Sequence, residues 1–177
     1  CFPGACCAFV RWILQLVMDY ISIKSFGAKP GIDCTDAIQR ALVFGAGQGL
    51  DTVVPPGTWN YSYVLFADGG RLRGEPGSVL HALNPARSAI FLSGVGSGVS
   101  SVTLTGIATA RLTTRESCRV VALDAKDFSI STVVIENAAG AGLRADRSTG
   151  GKILQNTVSN TLADSIHITD RSSEILV

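Results

Sequence analysis

The C-terminal part of the 177-residue chain repeats one pattern at an interval of 23 residues. The segment Phe128–Asp146 aligns with Gly151–Thr169 at that offset. The aligned pairs are Ile130 with Ile153, Ile135 with Val158, Asn137 with Asn160, and Leu143 with Ile166. A third copy begins at Ile175, 22 residues after Ile153. Short apolar runs that recur at such a period, separated by polar turns, indicate a solenoid.

Stacking of coils explains which residue types recur. Successive coils of a β-solenoid lie about 4.7–4.9 Å apart, so aligned side chains touch and apolar ones form continuous interior columns. We expect Asn137 and Asn160 to occupy a sharp turn and to stack their amides in a hydrogen-bonded ladder. The segments Gly69–Leu83 and Ser100–Thr109 predict earlier, less regular coils.

The region before the repeats predicts a strand, a helix and a second strand. Alternation of apolar and polar residues indicates a strand over Tyr20–Phe26. Helical spacing of apolar residues predicts a helix over Asp36–Phe44, with Thr35 or Asp36 as its N-cap. A strand at Thr52–Val54 and a turn at Pro55–Trp59 follow. We expect this helix to cover the otherwise open N-terminal end of the coil stack.

This opening resembles the start of the pectate-lyase-like family of right-handed parallel β-helices. The matching residues are Phe26-Gly27-Ala28, Asp33, Thr35-Asp36, Ala37-Ile38-Gln39 and Val54-Pro55-Pro56-Gly57-Thr58. Pro30 and Ile32 depart from the usual Asp-Gly pair of that family, and Trp59 replaces a Tyr. The resemblance implies an all-β, right-handed parallel β-helix with a short N-terminal capping helix. It also implies a polysaccharide as the partner.

Composition limits the remaining function classes. The formal net charge is +1 and charged residues make up 16% of the chain, so no field for a polyanion exists and nucleic acid is not expected. The five cysteines show no zinc-type spacing. We interpret Cys34 and Cys118 as small buried apolar residues, with a Cys34–Cys118 disulfide as the alternative.

We divide the chain into an apolar N-terminal segment, residues 1–19, and the N-terminal part of a β-helix domain, residues 20–177. Phe9–Val17 is shorter than the ~20 residues that span a bilayer, so no membrane partner is expected. This run is either the remnant of a secretory signal or an amphipathic helix that packs over the end of the fold, which is slightly favoured. A secreted protein predicts an extracellular or cell-envelope (periplasmic) location.

The third copy of the repeat, Ser173–Val177, is not completed, and no polar terminal repeat follows it. Solenoids generally need such a repeat to protect the last coil. We therefore expect a fragment, truncated at its C-terminus, that self-associates through its uncapped end.

Two residues near the C-terminus are the candidate catalytic groups. His167 lies between Ile166 and Ile168, so strand alternation points it outward if the isoleucines face the interior. Histidine is a suitable base or sugar hydrogen-bond partner near neutral pH. The segment Ala163–Thr169 resembles an Ala-Asp-Gly-Ile-His segment found in this broad group, with Ser165 in place of the Gly. We therefore assign Asp164 and His167 as catalytic candidates.

Four further residues are candidates for substrate binding. The 23-residue offset brings Asp146, Arg147, Asp170 and Arg171 together in neighbouring coils. They form either a carbohydrate-binding or acid–base patch, or a solvated turn with Asp–Arg pairs worth about 0–1 kcal/mol each, and the turn is favoured.

The predicted function is that of a carbohydrate-active β-helix protein, a uronate or pectin-type lyase or a glycoside hydrolase. Most of its active site is expected beyond Val177, because the motifs that carry catalysis in polygalacturonases are absent. The alternative is a non-catalytic carbohydrate-binding, adhesin or tailspike-type stalk. No metal ligands or cofactor are evident, although a lyase would accommodate Ca²⁺ to neutralise the uronate carboxylate.

Overall fold

The computed structural model describes residues 19–177 as short β-strands with one α-helix. Except for Asp19, the predicted segment 1–19 lies outside the described residues, and with it the signal-remnant and helix interpretations of Phe9–Val17. The division at residue 20 stays a prediction.

The strands form three parallel sheets. Sheet 1 contains β1 (Tyr20–Ser22), β2 (Asp51–Val54), β5 (Arg71–Gly74), β8 (Gly98–Ser100), β11 (Ser129–Ser131) and β14 (Lys152–Leu154). Sheet 2 contains β3 (Gly57–Tyr61), β6 (Ser78–Ala82), β9 (Thr103–Gly106), β12 (Val134–Glu136) and β15 (Thr157–Ser159). Sheet 3 contains β4 (Leu65–Asp68), β7 (Ile90–Val95), β10 (Val120–Lys126), β13 (Leu143–Asp146) and β16 (Ile166–Thr169).

The chain visits sheets 1, 2 and 3 in turn and then begins the next coil. In sheet 1, one column runs through Asp51, Arg71, Gly98, Ser129 and Lys152, so successive coils are 20, 27, 31 and 23 residues long. The predicted fold, a right-handed parallel β-helix, is confirmed. The period of 23 holds in the later coils because the earlier ones carry corners of different length.

The predicted register is confirmed at three positions. Ile130 pairs with Ile153, Ile135 with Val158, and Leu143 with Ile166. The predicted start of the third copy is wrong, because Leu176 rather than Ile175 lies opposite Lys152. The corner at residues 170–172 is one residue longer than its equivalent, which moves the register to 24.

The interior consists of apolar columns, as expected from the stacking of coils. The column in sheet 2 is Trp59, Leu80, Leu104, Ile135 and Val158. The first four of these side chains are fully buried. Each buried side chain of this size contributes about 1.5–3 kcal/mol to folding.

Large and small residues alternate where two coils meet near the start of sheet 1. The buried ring of Phe128 fills the space above Gly151, where a Cβ atom would overlap the ring. Ile175 packs against the same core from the following coil. The fit between these coils therefore depends on a glycine under a phenylalanine.

The sharp corner between sheets 1 and 2 uses left-handed residues and one asparagine amide. Ser101, Thr132 and Gln155 occupy this corner with φ values of 54°, 53° and 57°. Asn156 donates from Nδ2 to the Ile130 carbonyl (2.9 Å) and accepts the Val133 N–H at 2.9 Å. Asn156 therefore joins the corners of two coils through its amide.

The predicted asparagine ladder is wrong. Asn137 and Asn160 do follow paired strands, but both have a left-handed backbone, with φ values of 56° and 52°. The amide of Asn137 donates to Thr105 Oγ1 at 3.5 Å, away from Asn160. Both residues serve as turn residues, because asparagine tolerates this conformation better than most other side chains.

The N-terminal strand is shorter than predicted. It ends at Ser22, and residues Ile23–Phe26 form a 3₁₀ turn that closes at the left-handed Gly27 (φ 94°). The turn buries Ile23 and places the Phe26 ring 5.6 Å from that of Phe44.

The single helix of the described chain, α1 (Thr35–Gln48), covers the N-terminal end of the coil stack, as predicted. Ala37, Ile38, Ala41 and Leu42 are buried against the core. The predicted caps are wrong, because Thr35 and Asp36 already belong to the first turn. Asp33 takes the capping role, since its Oδ1 accepts the backbone N–H of Thr35 at 2.9 Å.

Helix α1 also closes the free edge of sheet 3. Gln39 Nε2 donates to the Phe66 carbonyl at 3.0 Å, and Gln39 Oε1 accepts the Phe66 N–H at 2.8 Å. The amide thus replaces the missing neighbouring strand of β4. An unpaired edge would otherwise be open to another chain.

Cys34 and Cys118 are both free and buried, so the disulfide alternative is wrong and the apolar interpretation is confirmed. Within residues 19–177, no helix is both long and apolar enough to cross a membrane.

We expect Gln39→Ala to lower the free energy of unfolding by about 1 kcal/mol, because both backbone groups of Phe66 lose a partner. Urea denaturation followed by circular dichroism measures the change. Gln48→Ala is the matched control, since Gln48 is exposed in the last turn of α1. Equal losses in the two variants would contradict the edge-closing role of Gln39.

Candidate functional site

The outer face of sheet 3 carries the candidate site. Strand alternation and in-register pairing place Phe66, Phe91, Val121, Arg144 and His167 in one outward column, one residue per coil. The column changes from aromatic and apolar in the early coils to cationic and polar in the later ones. The predicted outward position of His167 is confirmed.

The corner between sheets 2 and 3 varies in length from coil to coil. It comprises residues 62–64, 83–89, 107–119, 137–142 and 160–165. The longest of these segments, residues 107–119, is called the covering loop below. It lies over the outer face of sheet 3 and helps to bury a small apolar cluster there. The buried members of this cluster are Ala89, Phe91, Cys118, Val121 and Ala141.

A cationic side chain of the covering loop fixes it to the last two coils. Arg115 Nε donates to the carboxylate of Asp146, and Arg115 Nη2 lies 3.5 Å from Asp170 Oδ2. One arginine therefore connects the loop to β13 and to the end of β16.

Beside the covering loop lies a pocket of about 130 Å³, called the polar pocket below. Its wall includes Arg111, Cys118, Ala141, Arg144, Asp164 and His167. The two predicted catalytic residues are in contact there, with His167 Nδ1 2.6 Å from Asp164 Oδ2. Both side chains remain open to solvent, with 38% of His167 and 58% of Asp164 exposed. A histidine oriented by a carboxylate is a common arrangement for proton transfer.

Two arginines share this pocket, and the sequence analysis missed both. Arg144 lies directly beside His167 in the register of β13 and β16. The 23-residue offset contained that signal, because it aligns Arg144 with His167. Arg111 belongs to the covering loop, where no period or alternation exists to predict its direction.

Asp146 is fully buried and bound by two arginines. Arg144 Nε lies 3.0 Å from both of its carboxylate oxygens, and Arg115 binds it from the covering loop. Burial raises the pKa of Asp146, but the hydrogen bonds from Arg115 and Arg144 outweigh burial and hold that pKa below its ordinary value. Asp146 is therefore an ionised anchor beneath the pocket. The favoured interpretation of a solvated turn is wrong for this residue.

The other three predicted binding residues do not form one patch with Asp146. Arg147 has a left-handed backbone (φ 47°) and makes a two-pronged ion pair with Asp124, at 2.8 and 2.7 Å. Its hydrogen bond to Asp124 raises the pKa of Arg147 and lowers that of Asp124. Asp170 meets Arg115, whereas Arg171 makes no ion pair with any described residue. The left-handed corner turns Arg147 away from the strand face that carries Asp146.

An aromatic groove of about 630 Å³ adjoins the polar pocket along the same corner. Its wall includes Tyr63, Phe66, Arg87 and Glu116. Leu112 and Thr114 of the covering loop line both the aromatic groove and the polar pocket.

The carboxylates of the described chain do not fit a calcium site. Across residues 19–177, no three His, Cys, Asp or Glu side chains come together as metal ligands. Asp33 is bound by Thr35 and Ser62, and Asp51 Oδ1 lies 2.6 Å from Arg71 Nε.

Solved structures with this fold include enzymes and an adhesin. The Agl-KA catalytic domain is 13% identical with a TM-score of 0.63, over 85% of this chain and 34% of its own. The A-module of a mannuronan C-5 epimerase from Azotobacter vinelandii is 15% identical with a TM-score of 0.56, over 87% of this chain and 55% of its own. PfbA, a surface adhesin of Streptococcus pneumoniae, is 14% identical with a TM-score of 0.52, over 86% of this chain and 49% of its own.

At these identities the similarity establishes the β-helix fold alone. The chain spans about a third of the Agl-KA catalytic domain and about half of each of the other two proteins. No protein-family model matches the chain, and no curated protein matches it in sequence. The predicted membership of the pectate-lyase-like family therefore stays a prediction.

We expect Asp146→Asn to lower the free energy of unfolding at neutral pH by about 1–3 kcal/mol, because both arginines lose a charged partner. Since the folded pKa of Asp146 lies below its ordinary value of 3.8, the stability it contributes is full above that value and is lost as the pH falls through the folded pKa. Denaturant titrations at several pH values measure the difference from wild type.

Asp124→Asn is the control for this experiment. Asp124 also pairs with an arginine, but it is exposed, so we expect a much smaller loss of stability. A loss of stability in Asp146→Asn that persists unchanged at the lowest pH would contradict the anchoring role of the Asp146 charge.

Proposed function

We propose that the chain belongs to a polysaccharide-processing β-helix protein that binds an anionic, uronate-containing glycan along the outer face of sheet 3. One observation carries the proposal: Asp164 and His167 form a hydrogen-bonded pair in a pocket that also contains Arg111 and Arg144. The known proteins with this fold include a mannuronan epimerase module, which supports a uronate polymer as the substrate class.

The two arginines match the carboxylate of a uronic acid. A guanidinium presents a planar set of N–H donors that binds a carboxylate with two parallel hydrogen bonds. Arg144 is held in place by Asp146, so its guanidinium is oriented before a ligand arrives. Arg111 makes no ion pair with a described residue and is available to the substrate.

The histidine and aspartate support proton abstraction beside that carboxylate. Because a carboxylate only accepts hydrogen bonds, the pairing with Asp164 places the ring proton of His167 on Nδ1 and leaves Nε2 as the base. In the proposed β-elimination, Nε2 takes the proton from the carbon that carries the carboxylate. The electron pair of that C–H bond forms a C=C double bond, and the glycosidic oxygen departs and is protonated by water.

Elimination fits the described pocket better than hydrolysis does. A glycosidase uses two carboxyl groups, one of which donates a proton. Asp164 is the carboxylate among the described residues of the polar pocket, whereas Asp146 is buried, ion-paired and ionised. The arginines supply the positive charge that a lyase needs near the substrate carboxylate, and no step in this proposal requires the calcium ion.

The alternative function is binding without catalysis. The likeness of the fold to a surface adhesin supports this alternative and agrees with the predicted extracellular or cell-envelope location. Self-association through the last coil likewise stays a prediction.

The first test of the proposed function concerns charge. We expect digalacturonate to bind more tightly than the neutral disaccharide cellobiose, as measured by NMR titration. Arg111→Gln should weaken digalacturonate binding about fivefold, since a charge-assisted hydrogen bond contributes on the order of 1 kcal/mol. Lys152→Gln removes the same charge from an exposed position in sheet 1 and should leave binding unchanged. Equal affinity for both disaccharides would contradict an anionic substrate.

The second test concerns the reaction. We expect polygalacturonate to yield slowly accumulating unsaturated ends, detected by the ultraviolet absorbance of the new double bond. His167→Gln should reduce the rate at least about 100-fold, because it removes the general base. His81→Gln is the control, since His81 lies in β6 of sheet 2. Reducing ends without unsaturation would indicate hydrolysis, and binding without any product would support the non-catalytic alternative.

A further inference from the structure

We propose that Tyr63 and Phe66 form a second sugar-binding subsite, which stacks a ring of the same glycan at a distance from the polar pocket. This inference rests on the proposed function and names the direction in which the glycan lies. The glycan would run parallel to the axis of the coils, from the aromatic groove to His167.

Exposure of the two rings is the first observation. Tyr63 is 58% exposed and Phe66 is 54% exposed, although both belong to the first coil and lie beside a well-packed core. Both rings line the aromatic groove. A ring that gains nothing from folding in this position is available to a ligand.

The groove is also rigid. The Phe66 ring lies 5.7 Å from the buried ring of Phe91, at an angle of 34°. The Gln39 amide holds both backbone groups of Phe66. A site held in its binding conformation loses little conformational entropy when a ligand arrives.

The chemistry of the groove fits a sugar ring. The C–H face of a pyranose is apolar and packs against an aromatic ring through dispersion and removal of water. Arg87 and Glu116 at the groove wall offer a donor and an acceptor to the surrounding hydroxyl groups. The volume of about 630 Å³ lies within the range of roughly 300–1,000 Å³ that small-molecule sites occupy.

Continuity with the polar pocket identifies the occupant. Leu112 and Thr114 line both cavities, so the two share one wall. The outward column places Phe66 four coils before His167, which corresponds to about 19 Å at the strand spacing. A disaccharide in the polar pocket would not reach the aromatic rings, whereas a longer oligomer would.

The test compares ligand lengths by isothermal titration calorimetry. We expect hexagalacturonate to bind wild-type protein more tightly than digalacturonate does. Tyr63→Ala should weaken hexagalacturonate binding about tenfold and leave digalacturonate unaffected. Tyr63→Phe keeps the ring and should retain the affinity. Tyr20→Ala is the matched control, since Tyr20 is an exposed tyrosine in sheet 1.

The outcomes separate this inference from the proposed function. If hexagalacturonate binds no more tightly than digalacturonate, or if Tyr63→Ala changes neither affinity, the aromatic subsite is wrong and the anionic site stands. If neutral cellohexaose binds as well as hexagalacturonate and depends on Tyr63, the subsite stands and the anionic function is wrong. If Tyr63→Ala instead converts a dimer to a monomer in light scattering without altering sugar binding, the rings form a protein interface and the subsite is overturned.

Discussion

In-register hydrogen bonding between parallel strands of neighbouring coils is the constraint on which the rest of the structure depends. It places each residue of a coil directly over its equivalent in the next one, as Ile130 lies over Ile153. Inward positions must therefore be apolar along the whole stack. Outward positions become straight rows of side chains, and the row that ends at Arg144 and His167 owes its order to this register.

Because the sheets must stay in register, variation in chain length is confined to the corners. The corner between sheets 2 and 3 takes nearly all of it, from residues 62–64 in the first coil to the covering loop in the third. The covering loop crosses the outer row and divides it into an aromatic part and a polar part. Arg115 fixes the loop by pairing with Asp146, so a single buried carboxylate orients both the loop and the guanidinium of Arg144.

The features that the sequence predicted are those that follow a period. The coil register and the outward direction of His167 could be derived from spacing alone, because strands impose alternation on their side chains. Arg115 could not be anticipated, since it lies in an irregular loop and acts across 31 residues of chain. Arg147 was misplaced because its left-handed backbone interrupts the alternation. Asn156 was missed because its role depends on the geometry of a corner, and a repeat shows only that a corner exists.

The fit of Phe128 over Gly151 has a consequence for how such a chain can change in evolution. A coil that carries a large ring at this position requires a neighbour without a side chain, so the two coils are complementary rather than identical. Duplicating either one in tandem would set ring against ring, or leave a gap beside a second glycine. The solenoid is thus modular in outline only, and its coils carry a fixed order that gene duplication cannot extend without compensating substitutions.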